Sequence, residues 1–222
     1  MSEPTNPIDT LRTLLTEERS EQLDVVLARR LCGVTALLED VYKAQNMSVC
    51  IRTLEAFGIQ NVHVVEGEEP FVVSRKTTQG CHKWVDIHRH VDAQSAVRAL
   101  KAQGYRVLAT SLNATKTLGE MDFLEPTALC FGNEKDGITD ELIGLADDHF
   151  RIPMYGFTQS FNLSVAVAIC MMQATAMRRQ SVGSESDLTP EQAAQLRERW
   201  VQLGLKDSER IIEALSAREE QT

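Results

Sequence analysis

Short β-branched runs alternate along most of the chain with segments of helical periodicity, and this alternation constrains the fold more than any other feature. Strands are predicted near 35–41, 61–66, 84–88, 105–110, 127–131 and 149–154. Helices are predicted between them, near 48–57, 92–103, 139–145 and 162–179. Because successive βα units of this kind build a mostly parallel sheet covered by helices, we predict an α/β fold.

Two flanks without a strand pattern lie outside this alternation, at residues 1–31 and 181–222. The second opens with a Ser/Gly-rich stretch and then predicts helices near 190–202 and 209–217, for which Thr189 and Ser208 are suitable N-caps. Each flank is too short to bury a core by itself. We therefore interpret both as helical extensions of a central domain, residues 32–180.

The charge of the chain is acidic overall, with 23 Lys and Arg residues against 32 Asp and Glu residues. This balance argues against a protein whose whole surface coats nucleic acid. Residues 71–106 differ, because they hold seven basic residues against two acidic ones. Such a segment suits a phosphate-bearing partner, although the charge pattern alone is equally typical of solvated helix faces.

Five widely spaced cysteines, none in a C-x-x-C pair, argue against both a disulfide framework and a zinc ribbon. The N-terminus lacks the basic and apolar regions of an export signal, and the longest apolar stretch, 163–172, is too short to span a bilayer. We expect a cytoplasmic protein that has no membrane anchor.

The predicted helix 162–179 is apolar on all sides between Val165 and Met172. Such a helix must be buried on both sides. One side can face the sheet, and in a small chain a second copy of the protein can bury the other side. We therefore expect a homodimer, in which a charge placed at Val167 or Met171 would disrupt the interface. Burial under the terminal helices of the same chain is the alternative.

The turn Gly132–Gly137 joins a predicted strand to a predicted helix, which is a usual place for a site in an α/β sheet. It is not a P-loop, since Ile138 and Thr139 stand where that motif needs Lys and Ser or Thr. No G-x-G-x-x-G fingerprint occurs in the chain. His88 and His90 share one strand face, but without a third ligand at a recognisable spacing we predict no metal site.

Three segments, 46–58, 129–139 and 152–166, carry the strongest functional signal. They begin with Asn46-Met-Ser, Leu129-Cys-Phe-Gly-Asn-Glu and Ile152-Pro-Met-Tyr-Gly. In order and spacing they resemble the three motifs of the SpoU/TrmH family of S-adenosylmethionine-dependent RNA ribose 2′-O-methyltransferases. The resemblance covers residues 35–179, and residues 81–85 and 192–215 are similar to the tRNA branch that methylates a D-loop guanosine.

This resemblance implies a sheet whose C-terminal portion is threaded into a deep trefoil knot, which also binds S-adenosylmethionine. The positions expected to hold that cofactor, largely through backbone atoms, are Thr110, Gly132, Ile152, Met154, Phe161 and Leu163. The expected catalytic residues are Arg52, Asn46, Glu134, Ser160 and Asn162. The expected RNA-binding residues are Arg30, His82, Lys83 and Lys101.

In the reaction that the resemblance implies, a ribose hydroxyl attacks the methyl group of a sulfonium ion. In the family, activation of this hydroxyl is attributed to the arginine of the first motif, which is Arg52 here. A hydroxyl is a poor nucleophile until its proton is withdrawn. Because arginine keeps its charge so strongly, two roles stay open. Arg52 is either a strongly perturbed base or the cation that stabilises the developing alkoxide and holds a 5′ phosphate.

Three functions are compatible with the motifs. The first is methylation of tRNA, most simply of the D-loop guanosine at position 18. The second keeps the reaction but moves it to ribosomal RNA or to another tRNA position. The third is a non-catalytic RNA-binding dimer, against which the presence of Asn46, Arg52, Glu134, Ser160 and Asn162 argues. The short N-terminal flank favours tRNA, because about 30 residues cannot form a separate substrate-binding domain.

Overall fold

A computed structural model describes residues 7–41, 43–67 and 72–205. Within these residues, six strands pair in parallel into one sheet of order β3-β2-β1-β5-β4-β6. The strands are β1 Val34–Glu39, β2 Asn61–Val65, β3 Asp86–His90, β4 Arg106–Thr110, β5 Thr127–Phe131 and β6 Asp148–Phe150. The predicted mostly parallel α/β architecture is therefore confirmed.

The helices fall between and outside the strands. They are α1 Pro7–Thr13, α2 Glu17–Leu27, α3 Ala44–Ala56, α4 Arg75–Thr78, α5 Ala93–Ala102, α6 Asp140–Leu145, α7 Leu163–Val182 and α8 Pro190–Gly204. Two 3-10 turns, Cys81–Trp84 and Leu118–Glu120, complete the described elements. Within the described residues, no helix combines the length and the apolar character needed to cross a bilayer.

Helices cover both faces of the sheet. Successive side chains of a strand point to opposite faces, so each strand contacts both helical layers. In the central strand β1, Ala36 and Leu38 pack with residues of α3 and α7. Leu37 points the other way and packs with residues of α5 and α6. All six side chains of β1 are buried, as expected for a strand covered on both faces.

Several predicted boundaries differ from the observed ones for local reasons. Helix α3 begins at Ala44, four residues before the predicted start, so Asn46 and Ser48 both lie inside it. Strand β6 ends at Phe150, four residues earlier than predicted, because the backbone of the next residue, Arg151, bonds to Lys116 and Leu118 instead of β4. The predicted helix near 209–217 lies outside the described residues.

The chain divides into two compact units, residues 1–30 with 188–222 and residues 31–187. In the first unit, α1 and α2 both pack against α8. The two flanks therefore belong to the same unit, whereas the sequence suggested two separate extensions. Helix α7 continues to Val182, and the second unit ends at Asp187.

Asp187 is the last residue of the second unit and lies next to the start of strand β1. Its carboxylate accepts hydrogen bonds from the backbone N–H groups of Cys32 at 2.6 Å and Gly33 at 2.9 Å. It also pairs with Arg178 Nε at 2.8 Å, and the Asp187 side chain is only 4% exposed. This buried ion pair joins the segment that follows α7 to the start of β1.

Helix α7 corrects one expectation about a dimer interface. Val167 and Met171 are fully buried in the core of their own chain, between α7 and the sheet. A charge at either position would therefore damage the fold and would not report on an interface. The large apolar side chains of α7 that are exposed are instead Val165, Met172 and Val182, at 45%, 64% and 37%.

Candidate active site

A cavity of about 490 Å³ opens at the carboxyl ends of three neighbouring strands. Thr110, Phe131 and Phe150 are the last residues of β4, β5 and β6, and all three line it. This is the edge at which open α/β sheets bind ligands. The six positions expected to hold a cofactor all line the same cavity, namely Thr110, Gly132, Ile152, Met154, Phe161 and Leu163.

The loop between β5 and α6 forms one wall of the cavity and is held in shape by its own backbone. Asn133 and Gly137 exchange two backbone hydrogen bonds of 3.1 and 3.2 Å. Gly137 has a φ of +76°, in the left-handed region that favours glycine. A Cβ at Gly132 would lie 2.0 Å from the backbone of Gly137, so only glycine fits this approach.

A buried carboxylate fastens the far end of this loop. Glu39, the last residue of β1, is 3% exposed. It accepts hydrogen bonds from Thr139 N at 2.9 Å and from Thr139 Oγ1 at 2.7 Å. Thr139 in turn caps α6, because its hydroxyl oxygen accepts from Leu142 N. The loop is thus tied to the central strand of the sheet.

Two of the expected catalytic residues, which are 88 residues apart in the sequence, are joined by a hydrogen bond. Asn46 Nδ2, in the first turns of α3, donates a hydrogen bond to Glu134 Oε1 in the cavity-wall loop. The nearby Cys50 is not a candidate nucleophile, because burial raises the pKa of its thiol to about 12, and the Glu134 carboxylate adds to that effect.

Arg52 lies further along α3, with its side chain exposed. Its Nη1 atom is 3.4 Å from the carbonyl oxygen of Thr77, the third residue of α4. Arg52 and Asn46 are not among the cavity-lining residues, whereas Glu134 and Ser160 are. The structure therefore places the guanidinium outside the cavity lining, next to the short helix α4.

Asn162 has a structural contact in addition to its expected catalytic role. Its side-chain oxygen accepts from Ser164 N at 3.0 Å and from Ser164 Oγ at 2.7 Å, which caps helix α7. Ser160 and Phe161, just before it, line the cavity. The cap fixes where the motif-three loop ends and where the buried helix begins.

The four expected RNA-binding residues are not on one surface. Arg30 is fully buried, and its guanidinium stacks 4.9 Å from the centroid of the Trp200 ring, which leaves no surface for an RNA phosphate. Lys101 lies on α5, which covers the face of the sheet opposite to α3, and its Nζ atom forms an ion pair with Asp147 at 2.7 Å. His82 and Lys83, in contrast, lie in the 3-10 turn that packs against α3.

Sequence reasoning missed Glu39 and Thr139, whose contact no local pattern could have indicated. It also did not select Arg75 and Lys76 as site residues, although both are exposed in α4 next to Thr77. Their signal was present in the sequence, as two adjacent basic residues in a stretch without any acidic residue.

The histidines of β2 and β3 form a cluster away from the cavity. His63 is buried and stacks against His88 and His90, with ring centroids 4.7 and 5.2 Å apart. Burial, together with the neighbouring imidazoles of His88 and His90, lowers the pKa of His63 to about 3. Within the described residues, no group of His, Cys, Asp or Glu side chains is arranged to hold a metal ion.

Known proteins are similar to this chain in sequence and in architecture. A relative from Borreliella burgdorferi named tRNA (guanosine(18)-2′-O)-methyltransferase is 38% identical over 175 residues, which cover 78% of this chain and 80% of the relative. A protein of the same name from Thermus thermophilus is 40% identical over 164 residues, 73% of this chain and 84% of its own.

The crystal structure of the A. aeolicus TrmH/SpoU tRNA modifying enzyme matches with a TM-score of 0.77 and 29% identity, over 86% of this chain and 98% of that one. An AdoMet-bound rRNA methyltransferase from Sinorhizobium meliloti matches with a TM-score of 0.60 and 29% identity, over 64% and 56%. The model of the SpoU rRNA Methylase family matches residues 33–172, which is more than half of the 222 residues. The chain therefore belongs to the SpoU rRNA Methylase family.

Proposed function

We propose that this protein transfers a methyl group from S-adenosylmethionine to the ribose 2′-hydroxyl of guanosine 18 in the D-loop of tRNA. The observation that carries the proposal is the convergence of the three motifs. Asn46 of the first motif bonds Glu134 of the second, and Ser160 of the third lines the same cavity as Glu134. Relatives with 38–40% identity carry the name of this activity.

The cavity suits S-adenosylmethionine in size and in the kind of contacts it offers. A volume of about 490 Å³ lies in the usual range for small-molecule sites. The glycine pair Gly132 and Gly137 brings backbone close to the cavity, where peptide groups can bond an adenine or a ribose. When bound, the cofactor supplies an electrophilic methyl group on a sulfonium. We assign the binding of S-adenosylmethionine to the backbone at Thr110, Ile152 and Met154.

We assign to Arg52 the stabilisation of the ribose oxygen as it becomes an alkoxide. A guanidinium keeps its charge and offers several donors in one plane, so it is suited to an anion that forms in the transition state. The contact with the Thr77 carbonyl uses one Nη1 hydrogen and leaves the other donors for substrate. Asn46 orients Glu134 at the cavity wall, and we infer that this pair positions the target ribose.

The test of this assignment is Arg52→Ala, with Arg52→Lys as the charge-preserving control. The alanine variant is expected to bind S-adenosylmethionine within about two-fold of the wild type, because Arg52 does not line the cavity. Its methyl transfer should fall by roughly 10²- to 10³-fold, the usual loss for one oxyanion donor. A variant that methylates a tRNA transcript at the wild-type rate with saturating cofactor contradicts the assignment.

Ribosomal RNA is the second candidate substrate. A 23S rRNA (guanosine-2′-O-)-methyltransferase RlmB from Vibrio vulnificus is 28% identical over 158 residues, 64% of its own length. The higher identity to the tRNA enzymes favours tRNA, and mapping 2′-O-methyl groups in total RNA with and without the gene separates the two. If the methyl group lost without the gene is in ribosomal RNA or at another tRNA position, that RNA is the substrate instead. If no methyl group is lost, a non-catalytic RNA-binding dimer is favoured.

We further propose that two copies associate through an apolar stripe on α7. Val165, Met172 and Ala176 are exposed at helical spacing, and Ile169 is half-buried between them. A soluble helix with such a stripe needs a partner, and a second copy presents the same surface. Met172→Glu should therefore give monomers in light scattering. Gln180→Glu, an exposed position of the same helix, is the control that should stay dimeric, and a monomeric wild type contradicts the proposal.

We also propose that the segment after β6 threads through the loop between β4 and β5 to form the trefoil knot. Arg151, just past β6, donates from its backbone N–H to Lys116 O at 2.9 Å and accepts from Leu118 N at 2.8 Å, so the two segments lie side by side. An electron-density trace of residues 105–165 tests this threading.

We propose a cytoplasmic location for the enzyme. All five cysteines lie in the described residues and none forms a disulfide, which is typical of a reducing compartment. Cell fractionation with a tagged copy of the protein tests this, and a membrane or periplasmic pool would contradict it.

A further inference from the structure

We infer that the segment 74–84 is a phosphate-binding surface that docks the RNA strand beside Arg52, with Arg75 and Lys76 as its principal contacts. This inference rests on the proposed function, and its principal residues, Arg75 and Lys76, lie outside the three motifs and outside residues 81–85. The segment contains α4 and the 3-10 turn Cys81–Trp84.

The first observation is the charge of this segment. Residues 72–85 contain Arg75, Lys76 and Lys83 and no Asp or Glu, in a chain with nine more acidic than basic residues. Arg75 and Lys76 are exposed, and within the described residues neither has a carboxylate at ion-pair distance. Asp86, just after the segment, accepts a hydrogen bond from Gln60 Nε2 at 3.1 Å.

The second observation is that the segment has a fixed shape. The Ser48 hydroxyl, buried in α3, accepts a hydrogen bond from Ser74 N at 2.8 Å and anchors the start of α4. Thr78 is buried at the other end, with its Oγ1 2.8 Å from His82 Nδ1. Gln79 and Gly80 both adopt left-handed backbone conformations, with φ of +50° and +82°, which turns the chain sharply between α4 and the 3-10 turn.

The third observation is the position of the segment next to Arg52. The Arg52 guanidinium lies 3.4 Å from the carbonyl oxygen of Thr77, and Lys76 immediately precedes Thr77 in the chain. Neighbouring Cα atoms are about 3.8 Å apart, so the Lys76 side chain starts within a few ångströms of that contact. A ribose held at Arg52 has a phosphate on each side, and these are the anions that lie nearest to Arg75 and Lys76.

Other basic residues of the region have a partner or a different location. Arg89 pairs with Glu66 at 2.8 Å, and Arg106 pairs with Asp122 at 3.2 Å. Lys101 pairs with Asp147 on the opposite face of the sheet. An anionic ligand is therefore the partner that the segment 74–84 fits, and the RNA backbone is the one that reaches Arg52 in the proposed reaction.

The experiment measures the affinity of the full-length protein for a tRNA transcript as a function of salt, for Arg75→Ala, Lys76→Ala and the double variant. Each substitution that removes one phosphate contact should lower the slope of log affinity against log salt by about 0.7 to 0.9. The double variant should therefore lower it by roughly 1.5, raise KM for tRNA and leave kcat at saturating tRNA unchanged. Its affinity for S-adenosylmethionine should equal that of the wild type, which also shows that the variant is folded.

Arg98→Ala is the matched control, because Arg98 is an exposed cation of the same charge on α5, across the sheet from Arg52. Its salt slope should stay at the wild-type value. An unchanged slope in the double variant, or an equal drop in Arg98→Ala, overturns the inference. A wild-type protein that neither binds nor methylates tRNA would instead overturn the proposed function, so the two failures are distinguishable.

Discussion

The hydrogen bonds between Glu39 and Thr139 connect the central strand of the sheet to the cofactor cavity, and Glu39→Gln tests what that connection does. The Glu39 carboxylate accepts two hydrogen bonds from Thr139 at 2.9 and 2.7 Å and is 3% exposed. A glutamine has nearly the same shape but one acceptor oxygen and an NH₂ group. Because the two hydrogen bonds end on different carboxylate oxygens, the single amide oxygen can replace only one of these charged acceptors, and the NH₂ group stands in the place of the other.

The magnitude of the effect follows from these contacts. A hydrogen bond to a charged group contributes about 1.5–3 kcal/mol, and removing the buried charge offsets part of the loss. We expect Glu39→Gln to lower the free energy of unfolding by about 1–2 kcal/mol. The same energy sets an upper limit of about five- to thirty-fold on the rise in the dissociation constant for S-adenosylmethionine, because 1.4 kcal/mol corresponds to a factor of ten.

The assays are urea unfolding and calorimetric titration with S-adenosylmethionine, and the threonine supplies the controls. Thr139→Ser keeps both donors and should behave like the wild type, whereas Thr139→Val removes the hydroxyl and should weaken cofactor binding. Because both variants break the same contact, Glu39→Gln combined with Thr139→Val should lose less than the sum of the two single losses. A Glu39→Gln protein with wild-type stability and cofactor affinity refutes the reasoning.

Three further perturbations test the fold and the cavity. Gly132→Ala should abolish cofactor binding while leaving the sheet folded by circular dichroism, since a Cβ there would lie 2.0 Å from the backbone of Gly137; normal calorimetric binding would contradict this. Asp187→Ala should lower the free energy of unfolding by about 3–5 kcal/mol in urea titrations, because it leaves Arg178 and two backbone N–H groups buried without their partner; a loss below 1 kcal/mol would be inconsistent with this geometry. The pKa of His63 is lowered to about 3 in the folded state, so the unfolded state binds more protons below about pH 6.5 and stability should fall by roughly 1 kcal/mol per pH unit from pH 6 towards pH 3. His63→Leu should reduce that slope, and a variant that keeps the wild-type slope would contradict this explanation.

The sheet could be predicted from the sequence because each strand carries its own local signal. All six predicted strands exist, since β-branched runs between helical segments indicate strands without any long-range information. The four-residue helix α4 was not predicted, because one turn is too short to show a period. Nor could the sequence show that α2 and α8 pack together, since these elements are separated by about 160 residues.

The site was predicted to the extent that its residues lie within motifs. The motif resemblance selected six cofactor positions, and the structure arranges all six around one cavity. It could not select Glu39, whose partner Thr139 is 100 residues away. Arg30 illustrates the opposite error, because a basic residue at the end of a charged flank was expected at the surface. Only the structure shows that the Trp200 ring covers it.

The most direct test of the central claim is methyl transfer by the purified protein to a tRNA transcript, with S-adenosylmethionine labelled in its methyl group. We expect one methyl group per transcript, located at the 2′-oxygen of guanosine 18. We also expect no transfer when that nucleotide is replaced by its 2′-deoxy form. Transfer to the deoxy transcript, or to a base rather than a ribose, would contradict the proposed function.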